Sequence, residues 1–82
     1  MEIRIRYFAS IREIVGQTEE LLTVPATTRV TDVRDLLLAR TPPLQLVLER
    51  SVCAVNRRYV PVETALHDGD ELVFIPPTGG GS

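Results

Sequence analysis

The segment Glu71-Leu72-Val73-Phe74-Ile75 is apolar on both of its faces and is cut off by Pro76-Pro77. Such a run usually belongs to a central strand covered on both sides. Proline has no N–H to donate to a ladder, so the pair ends the strand. The chain has only 82 residues, near the lower limit for a self-sufficient core, and its pattern supplies one long helix. One helix covers one face of a sheet. The other face is therefore expected to keep apolar surface exposed, which marks an interaction site. Leu72 and Phe74 share one parity, Val73 and Ile75 the other, and one of the pairs has to face out.

The remaining elements follow from periodicity and punctuation. From Glu2 to Ala9 the chain alternates, with Ile3, Ile5 and Tyr7 opposite Glu2, Arg4 and Arg6, the pattern of a half-buried strand. Phe8 falls on the charged face, and two readings stand: a strand end that tucks the ring inward, or an exposed aromatic anchor for a partner. Ser10-Ile11-Arg12-Glu13 matches a capping box, which places a short helix from Ser10 to Gly16. Glu19 to Val24 reads as a second strand, antiparallel to the first and closed by Pro25. Thr31 is the expected N-cap of the long helix, with Asp32 at its positive end. Val33, Leu36, Leu37 and Arg40 form its stripe, and Pro42-Pro43 ends it near Arg40. Leu44 to Leu48 suits a further short turn of helix. Val52 to Asn56 and Tyr59-Val60 read as two strands joined by a turn at Arg57-Arg58.

Composition narrows the function classes. Hydrophobic residues at 44% against 24% charged fit a globular domain rather than a disordered chain. A net charge of −2 offers no basic footprint for nucleic acid. No apolar run approaches the ~20 residues of a membrane span, and the start lacks a signal-peptide pattern, so a cytoplasmic protein is expected. The single cysteine, Cys53, lies within an apolar run and reads as an inert buried thiol. The single histidine, His67, reads as a surface loop residue, and Asn56 as support for its turn. No metal site and no catalytic constellation is apparent, so chemistry has to be simple or shared with a partner.

What remains is the end of the chain, Thr78-Gly79-Gly80-Gly81-Ser82, almost without side chains. Glycine passes where a substituted chain cannot. We divide the chain into a domain over residues 1–77 and a flexible tail over 78–82.

The order strand, small helix, strand, long helix and three strands is that of a ubiquitin-like β-grasp: an α+β fold with a mixed sheet of about five strands and one long helix on one face. More specifically, the chain resembles the MoaD family, the small sulfur-carrier subunits of molybdopterin synthase. The matching residues are Tyr7-Phe8-Ala9 leading into Ile11-Arg12-Glu13-x-Val15-Gly16, then Ala54-Val55-Asn56. They continue in Leu66-x-Asp68-Gly69-Asp70-Glu71-Leu72-x-Phe74-x-Pro76-Pro77 and the Gly80-Gly81 pair. The resemblance implies a protein that binds no cofactor and is a carried reactant, not a catalyst. An E1-like activating enzyme of the MoeB type spends ATP to adenylate the terminal glycine carboxylate, which is then converted to a thiocarboxylate. A MoaE-like large subunit takes the tail into its active site, where the sulfur passes to precursor Z. Sulfur is thus expected at Gly81, on an arm that includes Gly79 and Gly80. By the same resemblance Phe8, Arg12, Tyr59, Ile75, Pro76 and Pro77 face the partner, in an assembly of two carriers flanking a large-subunit dimer.

The family pattern ends in Gly-Gly, whereas this sequence continues to Ser82. Removal by a peptidase, addition during expression, and a terminus that tolerates serine for another role are the three readings of that residue. Alternative functions share the fold and the diglycine: a sulfur carrier for thiamin or tRNA thiolation, a ubiquitin-like modifier joined to lysine through Gly81, or an interaction module with an inert linker.

Overall fold

The computed structural model describes residues 1–77; the expectations placed on residues 78–82, including Gly79, Gly80, Gly81 and Ser82, lie outside the described residues. Five strands form one mixed sheet in the order β2-β1-β5-β3-β4. Strand β1 (Glu2–Arg6) pairs antiparallel with β2 (Glu19–Thr23) and parallel with β5 (Glu71–Ile75). On its other side β5 pairs antiparallel with β3 (Val52–Val55), which turns back into β4 (Arg58–Val60). The doubly apolar run is thus the central strand. Leu72 and Phe74 face inward, at 0% and 2% exposure, onto a core with Ile3, Ile5, Val30, Val33 and Leu37. The ubiquitin-like architecture is the one the sequence predicts; beside the small helix and the long one, the turn of helix expected over Leu44 to Leu48 is present as a 3-10 turn and a short third helix.

Several boundaries move, each for a local reason. Helix α1 (Ala9–Val15) starts before the expected capping box, and its N-cap is Phe8, with no side-chain cap. The Phe8 carbonyl accepts from the N–H groups of both Ile11 and Arg12, at 3.1 and 3.2 Å, which places Ser10 inside the helix. Gly16 ends it as expected, in the left-handed region at φ 85°, donating its N–H to the Arg12 carbonyl at 2.8 Å. Helix α2 (Val30–Arg40) is capped at Arg29, not Thr31. The Thr31 N–H goes to the Val62 carbonyl at 2.9 Å, and the Asp32 carboxylate accepts from the Arg29 N–H at 2.8 Å. Its buried stripe is accordingly Val30, Val33 and Leu37, while Leu36 is partly exposed. Pro42-Pro43 stops α2 and opens the 3-10 turn Pro42–Leu44, followed by the short α3 (Gln45–Glu49).

The β3–β4 turn sits one residue earlier than expected, at Asn56-Arg57, where both residues have positive φ (52° and 69°). A two-residue turn of this hand matches the twist of the strands and favours asparagine followed by glycine. Arginine at the second position is strained. Arg57→Gly is therefore expected to raise stability by about 0.5–1 kcal/mol, read as a higher denaturant midpoint with an unchanged slope.

The Asp-Gly-Asp-Glu motif is a lock on this sheet. Asp68 accepts the Glu2 N–H at 2.7 Å, and the Gly69 N–H, in a residue at φ 85°, donates to the Glu2 carbonyl at 2.7 Å. Asp70, nearly buried, accepts from the His67 N–H at 2.7 Å and from Asn56 Nδ2 at 2.8 Å. Asn56 Oδ1 in turn accepts the Glu71 N–H at 3.0 Å. Asn56 thus supports its turn, as its position suggested, by tying it to the start of the central strand.

A second polar link joins β1, β2 and α2. The Tyr7 hydroxyl donates to Glu20 Oε1 at 2.8 Å, and Arg40 pairs with Glu20 Oε2 at 2.9 Å. Burial, then the bond to Glu20, holds the Tyr7 phenol above its ordinary pKa. Below the unfolded phenol's pKa of about 10 both states keep the proton and the contribution is fully present. Above it the unfolded chain ionises first. Stability should therefore fall as pH climbs past 10, and Tyr7→Phe should flatten that fall in denaturation midpoints followed from pH 9 to 11. Cys53 is buried, its Sγ donates to the Val60 carbonyl at 3.1 Å, and desolvation pushes its thiol up. Its alkylation by iodoacetamide at neutral pH is expected to proceed only as fast as the chain unfolds.

Candidate functional site

The face of the sheet opposite α2 carries the other parity of each strand. The pairings Arg6↔Val73, Val73↔Ala54 and Ala54↔Tyr59 run as one row across β1, β5, β3 and β4. Beside it Ile75 is opposite Val52. Ala54 is the small member of the row, and over it the surface dips into a concavity of ≈ 270 Å³. Phe8, Tyr59 and Ile75 stand around this hollow with Val73, and Arg6, Arg57 and Glu71 supply a charged rim.

Of the two readings of Phe8, the ring tucked into the core is the one the structure excludes, since Phe8 stays exposed. The left-handed turn at Ala9 (φ 48°) sends the chain into α1 and leaves the Phe8 ring 40% exposed. The Arg6 guanidinium lies 5.5 Å from the ring centroid and 3.9 Å from Glu71 Oε2. That cation–π contact, worth ~0.5–1 kcal/mol at an exposed site, fixes the ring at the edge of the hollow instead of letting it fold onto the core. Tyr59 is 75% exposed on edge strand β4, so most of its ring is free for contact. Aromatic side chains around an apolar centre with arginines at the rim are the usual constitution of a protein-binding patch.

Three of the six expected partner-facing residues, Phe8, Tyr59 and Ile75, thus meet in one hollow. The other three do not join them. Arg12 is exposed on α1 and is not among the residues lining the hollow. Pro76 is buried against the domain, and with Pro77 it lines a separate groove. Arg6, Ala54, Arg57 and Val73 belong to the hollow but were not singled out by the sequence. Parity alone pairs Val73 with Ile75 and Arg6 with Phe8; Ala54 and Arg57 require the register between strands distant in sequence, which no local pattern encodes.

Chemically the hollow offers apolar contact and charge. Among the described residues no cluster of three or more histidine, cysteine, aspartate or glutamate side chains is placed to hold a metal ion. No helix among the described residues is long and apolar enough to cross a membrane. The central strand runs from the hollow directly into Pro76-Pro77, so the glycine-rich end of the sequence is attached at its margin.

The model of the ThiS family matches residues 5–81 of the sequence. The chain belongs to the ThiS family. It is 36% identical over 83 residues to the molybdopterin synthase sulfur carrier subunit of Chlamydomonas reinhardtii, over 99% of this chain and 100% of that protein. Among solved structures it superimposes on a putative molybdopterin converting factor subunit 1 from Pyrococcus furiosus with a TM-score of 0.85 at 28% identity, covering 95% and 99% of the two chains. It also resembles the small archaeal modifier protein 1 from Methanosarcina acetivorans, with a TM-score of 0.83 at 26% identity over 98% and 96%. This chain is thus similar both to proteins named as sulfur carrier subunits and to one named as a modifier, and the family match runs to residue 81.

Proposed function

We propose that this protein carries sulfur for molybdenum cofactor biosynthesis, as the small subunit of a molybdopterin synthase, and that the sulfur rides on Gly81 once Ser82 has been removed. The observation that carries the reading is a central strand leading from the aromatic-rimmed hollow into Pro76-Pro77 and the glycine-rich end of the sequence, in a chain that matches a sulfur carrier subunit over 99% of its length.

The chemistry explains why a domain without catalytic groups suffices. A carboxylate is a poor electrophile. Attack of the Gly81 carboxylate on ATP in an E1-like enzyme expels pyrophosphate and gives an acyl-adenylate, a mixed anhydride with a good leaving group. A sulfur donor displaces AMP and leaves a thiocarboxylate, a soft nucleophile ionised at neutral pH. Transfer of that sulfur to precursor Z, with an oxygen from water returned to the carbonyl carbon, regenerates the carboxylate. The large subunit supplies the acid–base work, and the carrier supplies the reactant. Phe8, Tyr59 and Ile75 hold the large subunit in register, and Gly79 and Gly80 keep the arm narrow enough for its cleft. The stretch from residue 77 to residue 81 would reach ~16 Å if extended at ~3.3 Å per residue. Arg12 is assigned to the rim of the contact. ATP is a substrate of the activating enzyme and not a ligand of this chain.

The likeness to a modifier protein gives the second reading, conjugation to lysine through Gly81. Intact mass of the protein recovered from its own cells separates the two. Loss of Ser82 with one oxygen replaced by sulfur supports the carrier. Lysine conjugates favour the modifier, and an unmodified Ser82 terminus in cells making molybdenum cofactor rejects both.

A further inference from the structure

A second concavity lies on the other side of the chain's exit. It is a groove of ≈ 240 Å³ between α1, α3 and the end of β5, lined by Ser10, Leu46, Val47, Arg50, Pro76 and Pro77. Leu46 is 70% exposed there. Leu46 is not taken up by the core, since Leu44 and Leu48 on either side are buried, and it lies instead beside Val47, Pro76 and Pro77 as one apolar lining. Arg50 is exposed at the end of α3 and takes part in none of the ion pairs formed among the described residues.

The position of this groove is what gives it meaning. Phe8 of the hollow and Ser10 of the groove belong to the same β1–α1 junction. Ile75 of the hollow and Pro76 of the groove are consecutive. Pro76 is buried and Pro77 is exposed, so the described chain ends on a line with the hollow on one side, at Ile75, and the groove on the other, at Pro76 and Pro77. A protein that encloses whatever follows Pro77 has to close around that line. Gripping the hollow alone leaves one side of the exit open to water.

We infer that the Leu46–Arg50 groove is the second wall of the docking surface and that it takes a segment of the large synthase subunit presenting an apolar side chain beside an acidic one. The apolar side chain covers Leu46 and Val47, and the carboxylate meets Arg50. The inference rests on the carrier reading and extends its interface to a face of the molecule that the sheet patch does not include.

The test measures affinity for the large subunit from the same organism, by calorimetry at two salt concentrations, for Leu46→Ser, Arg50→Glu, Arg50→Lys and Phe8→Asp. Thermal midpoints equal to the parent's establish that each variant is folded, and Leu36→Ser on the far helix face serves as the unaffected control. Leu46→Ser and Arg50→Glu are each expected to weaken binding about tenfold. Arg50→Lys is expected to change it little, and the Arg50→Glu loss is expected to shrink at high salt. If Phe8→Asp weakens binding while Leu46→Ser and Arg50→Glu do not, the groove is overturned and the carrier reading stands. If none of the variants weakens binding, the carrier reading falls and takes the groove with it. A loss with Leu46→Ser alone overturns the acidic element, and so does tighter binding by Arg50→Glu, which would place a basic group of the partner there.

Discussion

A chain ending at Gly80 is expected to deliver no sulfur above background, although it folds as well as its parent. Among the described residues the buried hydrophobic core lies between Ile3 and Phe74, so removal of Gly81 and Ser82 is expected to leave it intact. What changes is reach. One residue withdraws the terminal carboxylate by ~3.5 Å, while reacting atoms have to come within ~3–3.5 Å of each other in a defined orientation. A misplacement of about 1 Å already costs ~100-fold, and a whole residue exceeds any adjustment a site of fixed geometry can make. The measurement is single-turnover formation of the dithiolene product with reconstituted large subunit, run beside a chain ending at Gly81. Equal activity of the two would remove Gly81 as the sulfur-bearing residue. Thermal midpoints of the two chains are expected to coincide.

The second large effect separates the two faces of one strand. Leu72→Ala is expected to cost about 2–5 kcal/mol of stability, because Leu72 is fully buried at the centre of the sheet and its loss leaves a cavity. In a domain of this size that is a large share of the total. Val73→Ala, the adjacent residue, is expected to cost under ~1 kcal/mol, since its side chain already meets solvent in the open hollow. Binding should respond the other way: Val73→Ala weakens affinity for the large subunit, whereas any Leu72→Ala that remains folded binds normally. Denaturant titration and calorimetry on the same two proteins read both quantities. A strand whose alternate residues fail in different assays is one whose two faces have different tasks.

Much of this division was legible in the residues. The doubly apolar run from Glu71 to Ile75 forced a central strand and, with only one long helix to cover it, forced an exposed face. Parity then left Val73 and Ile75 as one of two choices. The misplaced details were those decided by contacts far along the chain. Thr31 has the chemistry of a cap, but Val62 and Thr64 accept the backbone donors at the start of α2 and set the cap at Arg29. Ser10 and Glu13 have the spacing of a capping box, yet the Phe8 carbonyl takes the first donors and starts the helix earlier. The turn expected at Arg57-Arg58 sits at Asn56-Arg57, both at positive φ, where the Asn56–Asp70 bond holds it. The site followed the same rule. Phe8, Tyr59 and Ile75 came from the resemblance, whereas Ala54 and Arg57 are neighbours only through the β3–β5 and β3–β4 registers. The Leu46 groove left no signal beyond one leucine out of phase with its buried neighbours.

The placement of β5 has a mechanical consequence. Its ladder to β1 is parallel and its ladder to β3 antiparallel, and both run along the strand that ends at Pro76. A pull on the residues beyond Pro77 loads those hydrogen bonds lengthwise, in shear, so that many share the force before any one yields. An edge strand pulled in the same way would be peeled off one bond at a time. A partner can therefore draw the end of the chain into a tight channel and hold it under tension, and the domain behaves as a rigid handle instead of unravelling from its own working end.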